Sequence, residues 1–231
     1  MYNQITLINT QEHKNSAVKR FNSLVYAKEL ISATITAPEF YECCKEYPIV
    51  FVKDENDQWS ASVMLGYKEK ENLFIDEKGL WEKGRYIPAS IRRYPFIYVT
   101  GENNQLSLGI DIEALSESIE DAERKLFDEE GNPTDFTKSV LEFMNHFQSD
   151  AAATVNFIKQ LEDWGLLEER TAQINTPDQK SYQINGFYVI NEEKLHHLSK
   201  KKKQDICDQN GYSLITAHLI SLSNVQRIGI R

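Results

Sequence analysis

Tyr47-Pro48-Ile49-Val50-Phe51-Val52 is followed by Asp54-Glu55-Asn56-Asp57 and then by Trp59-Ser60-Ala61-Ser62-Val63-Met64-Leu65-Gly66-Tyr67. The first run is continuous in β-branched and aromatic residues, which reads as a well-buried strand. The acidic tetrapeptide supplies turn formers. The second run brings the chain back through Val63, Met64 and Leu65, so the two predict an antiparallel hairpin. Upstream, Ile31-Ser32-Ala33-Thr34-Ile35 alternates as a half-buried strand does, and Thr36-Ala37-Pro38-Glu39 is a capping box with Pro in the first turn. It predicts a short helix from about Ala37 to Lys45 with Phe40, Cys43 and Cys44 on or near its inner face. Residues Met1 to Lys19 are polar and weakly patterned, an arm or a short edge strand.

Downstream, Asn72-Leu73-Phe74-Ile75 reads as a further short strand. Tyr94-Pro95-Phe96-Ile97-Tyr98-Val99 echoes the Tyr-Pro entry at Tyr47. Six positions are too few for a repeat architecture, so these are two similar strand entries. Leu106-Ser107-Leu108-Gly109-Ile110-Asp111-Ile112 alternates again and pairs with the preceding strand across Gly101-Glu102-Asn103-Asn104. An acidic segment follows, with Leu115, Ile119 and Leu126 spaced loosely for a helix and Asp128-Glu129-Glu130-Gly131-Asn132-Pro133 ending it.

From Thr134 the pattern turns helical. Phe136, Val140, Phe143, Met144 and Phe147 share one face behind a Thr134 or Asp135 cap. A second helix carries Val155, Ile158 and Leu161 and stops at Gly165. Gly186-Phe187-Tyr188-Val189-Ile190, with Tyr182 and Ile184 before it, is a strand or hairpin arm. Asn191 caps a helix with Leu195 and Leu198 inside, and a last helix from about Gly211 to Ile228 carries Leu214, His218, Leu222 and Val225. The fold class is α+β, with a mainly antiparallel sheet in the N-terminal half and helices plus a late hairpin in the C-terminal half. The expected regions are a sheet over 1–112, an acidic connection over 113–133 and a helical region over 134–231, in one body or two.

The 231 residues, 41% hydrophobic, suffice for a real core. A formal net charge of -9 excludes a general binder of nucleic acid or anionic membrane. Lys200-Lys201-Lys202-Lys203 reads as a solvated helix end. Cys43, Cys44 and Cys207 make neither a zinc spacing nor a disulfide framework, consistent with reduced thiols. Residues Met1 to Leu7 lack the apolar core of a leader peptide, and no run of ~18 apolar residues suggests a membrane span. A cytoplasmic chain is expected, reaching the cell surface only by another export route. The sequence sets no oligomeric state.

Chemistry is sparse. There is no glycine-rich phosphate loop, and Gly211-Tyr212-Ser213-Leu214-Ile215 lacks the second glycine of a nucleophile elbow. His196 and His197 diverge by ~100° on a helix, and no HxD or HxE occurs, so no metal site and no cofactor are expected. Asp76-Glu77-Lys78-Gly79 and Asp128-Glu129-Glu130-Gly131 are ordinary loops without calcium spacing. His218 and Asp111 are weak candidates for acid–base work, carried by an alternative reading as an enzyme that modifies a peptide or glycan.

The distinctive phrase is Tyr86-Ile87-Pro88-Ala89-Ser90-Ile91-Arg92-Arg93-Tyr94-Pro95-Phe96. Its prolines stiffen the backbone that carries two adjacent arginines. Guanidinium groups between aromatic residues suit carboxylates, phosphates or aromatic faces. Trp81, Arg85, Tyr86, Arg92, Arg93 and Tyr94 are therefore the candidate ligand-binding residues. The bland counterpart is that one arginine closes a structural ion pair and the other is solvated.

Glu46-Tyr47-Pro48-Ile49-Val50-Phe51, Leu65-Gly66, Asn72-Leu73-Phe74-Ile75-Asp76, Gly79-Leu80-Trp81, Arg85-Tyr86-Ile87-Pro88 and Arg92-Arg93-Tyr94-Pro95-Phe96 together resemble the SapC family. Leu126-Phe127-Asp128-Glu129-Glu130-Gly131 and Ala217-His218-Leu219-Ile220-Ser221-Leu222 extend the resemblance over roughly Thr36 to Ile228. It implies an association with bacterial surface layers and their secretion, and it brings no catalytic residues. The resulting expectation is a non-catalytic accessory or binding protein of a cell-surface pathway. It would recognise a peptide, protein or small ligand through the aromatic and arginine cluster.

Overall fold

The computed structural model describes residues 1–101, 105–116 and 123–230. Its strands are β1 (Ile5–Leu7), β2 (Ala17–Val18), β3 (Ser32–Ile35), β4 (Ile49–Lys53), β5 (Trp59–Met64), β6 (Phe96–Thr100), β7 (Leu106–Asp111), β8 (Leu115–Ser116), β9 (Leu167–Asn175) and β10 (Ser181–Ile190). Its helices are α1 (Thr10–His13), α2 (Phe40–Cys43), α3 (Ala89–Arg92), α4 (Asp135–Asp163), α5 (Glu192–His196), α6 (Lys200–Asp208), α7 (Gly211–Ser221) and α8 (Asn224–Ile228). The class is α+β, with all described strand pairs antiparallel.

The larger sheet has the order β3-β5-β4-β10-β9, so the late hairpin completes a sheet begun in the N-terminal half. Tyr188 lies opposite Phe51 where β10 joins β4. This explains why Tyr47 to Val52 lacks alternation. Ile49 and Phe51 face a core built with Phe40, Ile158, Leu161 and Ile215, whereas Val50 faces a second cluster with Met64, Val189 and Ile228. A strand covered on both faces has no position for a polar residue.

The smaller sheet, β1-β7-β6, places Phe96 and Ile110 against Leu126 and Met144. Its register pairs Phe96 with Ile110 and Thr6 with Ile110. β2 and β8 form a separate two-stranded pair. Helix α4 spans both sheets. Its first half carries Phe136, Val140, Phe143 and Met144 to the small sheet, and its second half carries Ile158 and Leu161 to the large one.

Several elements end as their residues dictate. Thr36 and Glu39 close the capping box, although the first turn is 3-10 before α2 begins. Thr134 Oγ1 accepts from Thr137 N at the start of α4. At its other end Leu166 N donates to Leu161 O and Gly165 N donates to Glu162 O, a Schellman closure. Asp54, Asp76 and Asp128 each begin a five-residue hairpin loop with a left-handed residue at the fourth place, Asp57, Gly79 or Gly131. In each loop the aspartate Oδ1 accepts backbone N–H bonds from the residues two and four ahead. The carboxylates are thereby occupied by their own turns.

The structure differs from the expected elements in four places. Asn72 to Ile75 is no strand, because Asn72 Nδ2 donates to Ala27 O and its Oδ1 accepts from Phe74 N, leaving an isolated bridge between Ile75 and Trp81. Leu115 lies in β8 and not in a helix; the expectation for Ile119 falls outside the described residues. The two helices after Thr134 are one 29-residue helix, since nothing from Asp135 to Asp163 breaks it and Ser149 points outward. The last helix divides after Ser221, whose hydroxyl donates to His218 O and accepts from Ile49 N. As expected, the four lysines stand at a helix end, the first turn of α6, capped by Ser199.

Candidate ligand-binding groove

The six expected binding residues do not form one cluster. Trp81 is buried in the main core, its Nε1–H donating to the Tyr47 hydroxyl at 3.2 Å and its ring stacked against Phe74. Arg85 is paired with Glu82 at 3.1 Å and Glu46 at 3.5 Å. Both residues are committed to the scaffold.

Tyr86 and Arg92 do come together. Arg92 Nη2 donates to the Tyr86 hydroxyl at 3.1 Å, and Arg92 Nε donates to Ile87 O at 2.9 Å. The Tyr86 hydroxyl donates to Glu39 Oε1 at 3.0 Å. Burial, with the Glu39 charge second, pushes the Tyr86 pKa up to about 12, so the phenol stays protonated. Glu39 is itself buried and also accepts from Thr36 N, Thr36 Oγ1 and Ala89 N. This fixes the start of α3 and hence the arginines.

The Arg92 guanidinium lies 5.5 Å from the Tyr86 ring centroid and 5.6 Å from that of Phe143; the Arg93 guanidinium lies 5.1 Å from that of Phe147. Arg93 Nε is buried without a hydrogen-bond partner. Neither arginine forms an ion pair within the described residues. The bland expectation of a structural ion pair therefore does not describe this site. Tyr94 stacks on Tyr26 with centroids 4.0 Å apart and leans on Tyr2 and Phe21.

Asp111 and His218 are both fully buried. Asp111 accepts from Asn3 N at 2.9 Å and from Glu113 N at 3.3 Å. His218 Nε2 accepts from Ile190 N at 3.1 Å, and its ring packs on Phe51. Burial pushes its pKa down to about 4. Each satisfies backbone amides where no substrate reaches. Cys43 is likewise buried, which pushes its thiol up and leaves it unreactive.

Two concavities adjoin α3 along α4. One, of about 210 Å³, is lined by Glu39, Tyr86, Arg92, Phe143, His146 and Asp150 among others. The second, of about 190 Å³, is lined by Arg92, Arg93, Arg124, Phe136, Phe143 and Met144 among others, with no carboxylate among its described lining residues. Arg92 and Phe143 belong to both and form the ridge between them. Arg124 stands over the Phe136 ring, 5.0 Å from its centroid, and donates to Lys19 O. A larger hollow of about 540 Å³ lies between the β9–β10 hairpin and α7–α8. There Glu168 is already bound by Arg170 and by Asn191 Nδ2.

A family model for SapC matches residues 8–228, nearly the whole chain. The chain belongs to the SapC family. No curated protein and no solved structure matches it. In this SapC-family chain the matched span includes α3, α4 and every residue named at the two concavities. Among the described residues no group of three or more His, Cys, Asp or Glu could hold a metal, and no helix is long and apolar enough to cross a membrane.

The groove residues that sequence reasoning missed as SapC site candidates are Arg124, Phe136, Phe143, His146, Phe147 and Asp150. Periodicity assigned the phenylalanines wholly to a core. Their one local signal was Phe143 and Phe147 one turn apart with His146 between, which sets aromatic and titratable groups on adjoining helix faces.

Proposed function

We propose that this SapC-family chain is a non-catalytic binding protein that takes an anionic group, carboxylate or phosphate, at Arg92 and Arg93 against the aromatic side of α4. One observation carries the reading. In a chain with 35 Asp and Glu, two adjacent arginines sit on a rigid helix end without an ion pair among the described residues, beside a concavity whose described lining has no carboxylate. Guanidinium groups over aromatic rings keep their donors directed outward and pair planar oxyanions bidentately. The burial of Asp111 and His218 favours binding over catalysis. The resemblance to proteins associated with surface layers supports a ligand or protein partner from a cell-surface pathway.

The test is calorimetric titration of the folded chain with acetate, succinate and inorganic phosphate at low and high salt. Saturable, salt-sensitive binding that weakens at least ~10-fold in Arg92→Ala/Arg93→Ala supports the reading. Absence of saturable binding by wild type, or equal binding by the folded double variant, overturns it.

A further inference from the structure

The first concavity holds two unanswered charges of opposite sign. Arg92 and Asp150 both line it, yet no ion pair joins them within the described residues. Arg92 is held where it stands: its Nε donates to Ile87 O, its Nη2 donates to the Tyr86 hydroxyl, and its guanidinium packs on the Tyr86 and Phe143 rings. Those bonds use two of the five N–H groups of an arginine, so the others remain for a ligand. The Arg93 guanidinium adds its charge from beside Phe147, another lining residue of this hollow.

The Asp150 carboxylate has neither hydrogen bond nor ion pair within the described residues, and only its backbone carbonyl is used, accepting from Thr154 Oγ1 at 2.6 Å. Glu39, the other acid of this concavity, already accepts four hydrogen bonds from Thr36, Tyr86 and Ala89. Asp150 is thus the acid left to meet a ligand. Size and charge then narrow what fits. At about 210 Å³ the hollow lies below the ~300 Å³ at which drug-sized sites begin, so it holds a molecule of few atoms. A plain anion on Arg92 would share that space with the Asp150 carboxylate, and a plain cation on Asp150 would share it with the guanidinium. Like charges set against each other oppose binding, whereas a ligand carrying both signs answers both residues.

Resting on the anion-binding reading above, we infer that this hollow takes a free apolar α-amino acid as its zwitterion. The carboxylate seats on Arg92, the ammonium on Asp150, and the side chain against Phe143 and Phe147 of the same lining. Because both charged residues border one small hollow, the two charges of the ligand must sit close together, as they do when one carbon atom carries both. Charge-assisted hydrogen bonds at the two ends fix the orientation of the molecule between them.

The experiment titrates the full chain calorimetrically with L-leucine. The parallel arms are 4-methylpentanoate, which lacks the amine, 3-methylbutylamine, which lacks the carboxylate, and phosphoethanolamine. Leucine is expected to bind saturably, and loss of its carboxylate to weaken binding at least ~10-fold. Loss of the amine weakens binding about 5-fold in wild type and less than ~2-fold in Asp150→Ala, a variant that breaks no side-chain bond among the described residues. Binding of 4-methylpentanoate as tight as that of leucine, or an amine effect that survives in Asp150→Ala, sinks the zwitterion while leaving anion recognition at Arg92 standing. Tighter binding of phosphoethanolamine than of leucine gives the hollow to a phosphate-bearing headgroup and sinks the amino acid. Failure to bind leucine by a chain that still binds acetate or phosphate through Arg92 and Arg93 overturns it equally. Binding of none of these anions, or binding unchanged in the folded Arg92→Ala/Arg93→Ala variant, removes the reading beneath.

Discussion

Arg92 Nη2 donates to the Tyr86 hydroxyl at 3.1 Å, and that hydroxyl donates onward to Glu39 Oε1 at 3.0 Å. A surface cation is thereby aimed by a buried acid. Glu39→Ala strands four donors, among them the backbone amides of Thr36 and Ala89, and is expected to cost about 3 kcal/mol or more in urea denaturation. Tyr86→Phe breaks only the relay and is expected to cost about 1 kcal/mol. A Glu39→Ala loss no larger than that of Tyr86→Phe would show that the acid is not the hub.

His218 makes stability depend on pH in one direction. Its folded pKa is depressed to about 4 from an ordinary value of 6.5. The unfolded chain therefore binds the proton first, and stability present above about pH 6.5 falls as pH drops toward 4. The loss is on the order of 3 kcal/mol. His218→Gln keeps an acceptor for Ile190 N and is expected to flatten this part of the pH–stability curve, whatever constant offset its smaller side chain adds. Parallel curves for the two proteins would contradict the assignment.

Two glycines with left-handed backbone separate strain from crowding. Gly165 has φ +71° and open space where a Cβ would stand; Gly79 has φ +78° and would place a Cβ 2.5 Å from Val25 Cγ2. Gly165→Ala is expected to cost about 1 kcal/mol, the left-handed penalty alone. Gly79→Ala is expected to cost about 1–3 kcal/mol more, for the displaced valine. Thermal melts of the pair check the order, and equal shifts would contradict it.

Asn224 ties the last helix to the N-terminal half. Its buried Nδ2 donates to Cys44 O at 2.9 Å and to Tyr47 O at 3.2 Å. Asn224→Ala is expected to cost about 1–3 kcal/mol by leaving those carbonyls unpaired. Exchange protection of the amides of α8 should fall with it, since the helix has five residues and little stability of its own.

What the sequence revealed was local. The strand at Ile49, the capping box at Thr36 and Glu39, the Thr134 cap and the Gly165 stop are each written within a few adjacent residues. The joining of β10 to β4 is not, because Tyr188 and Phe51 meet only through tertiary packing. Asn72 shows the same limit at short range, where a side chain supplies the hydrogen bonds that a strand would have taken from a neighbour. For the groove, the arginines were legible as a stiff, unusual phrase. Their setting was not. Phe143 and Phe147 have the spacing of core residues, and their second duty, as rings beneath guanidinium groups, depends on where α3 lands against α4.

The strand order bears on how the chain is made. β4 and β5 leave the ribosome as an adjacent hairpin, but the second neighbour of β4 is β10, which follows all of α4 and β9. During synthesis the apolar run Ile49 to Val52 therefore offers a bare strand edge until nearly the whole chain has emerged. Such an edge pairs readily with other chains. A truncation after the acidic segment would make that interval permanent, and the nascent protein would need a chaperone, or a partner strand in the place of β10, to stay out of aggregates.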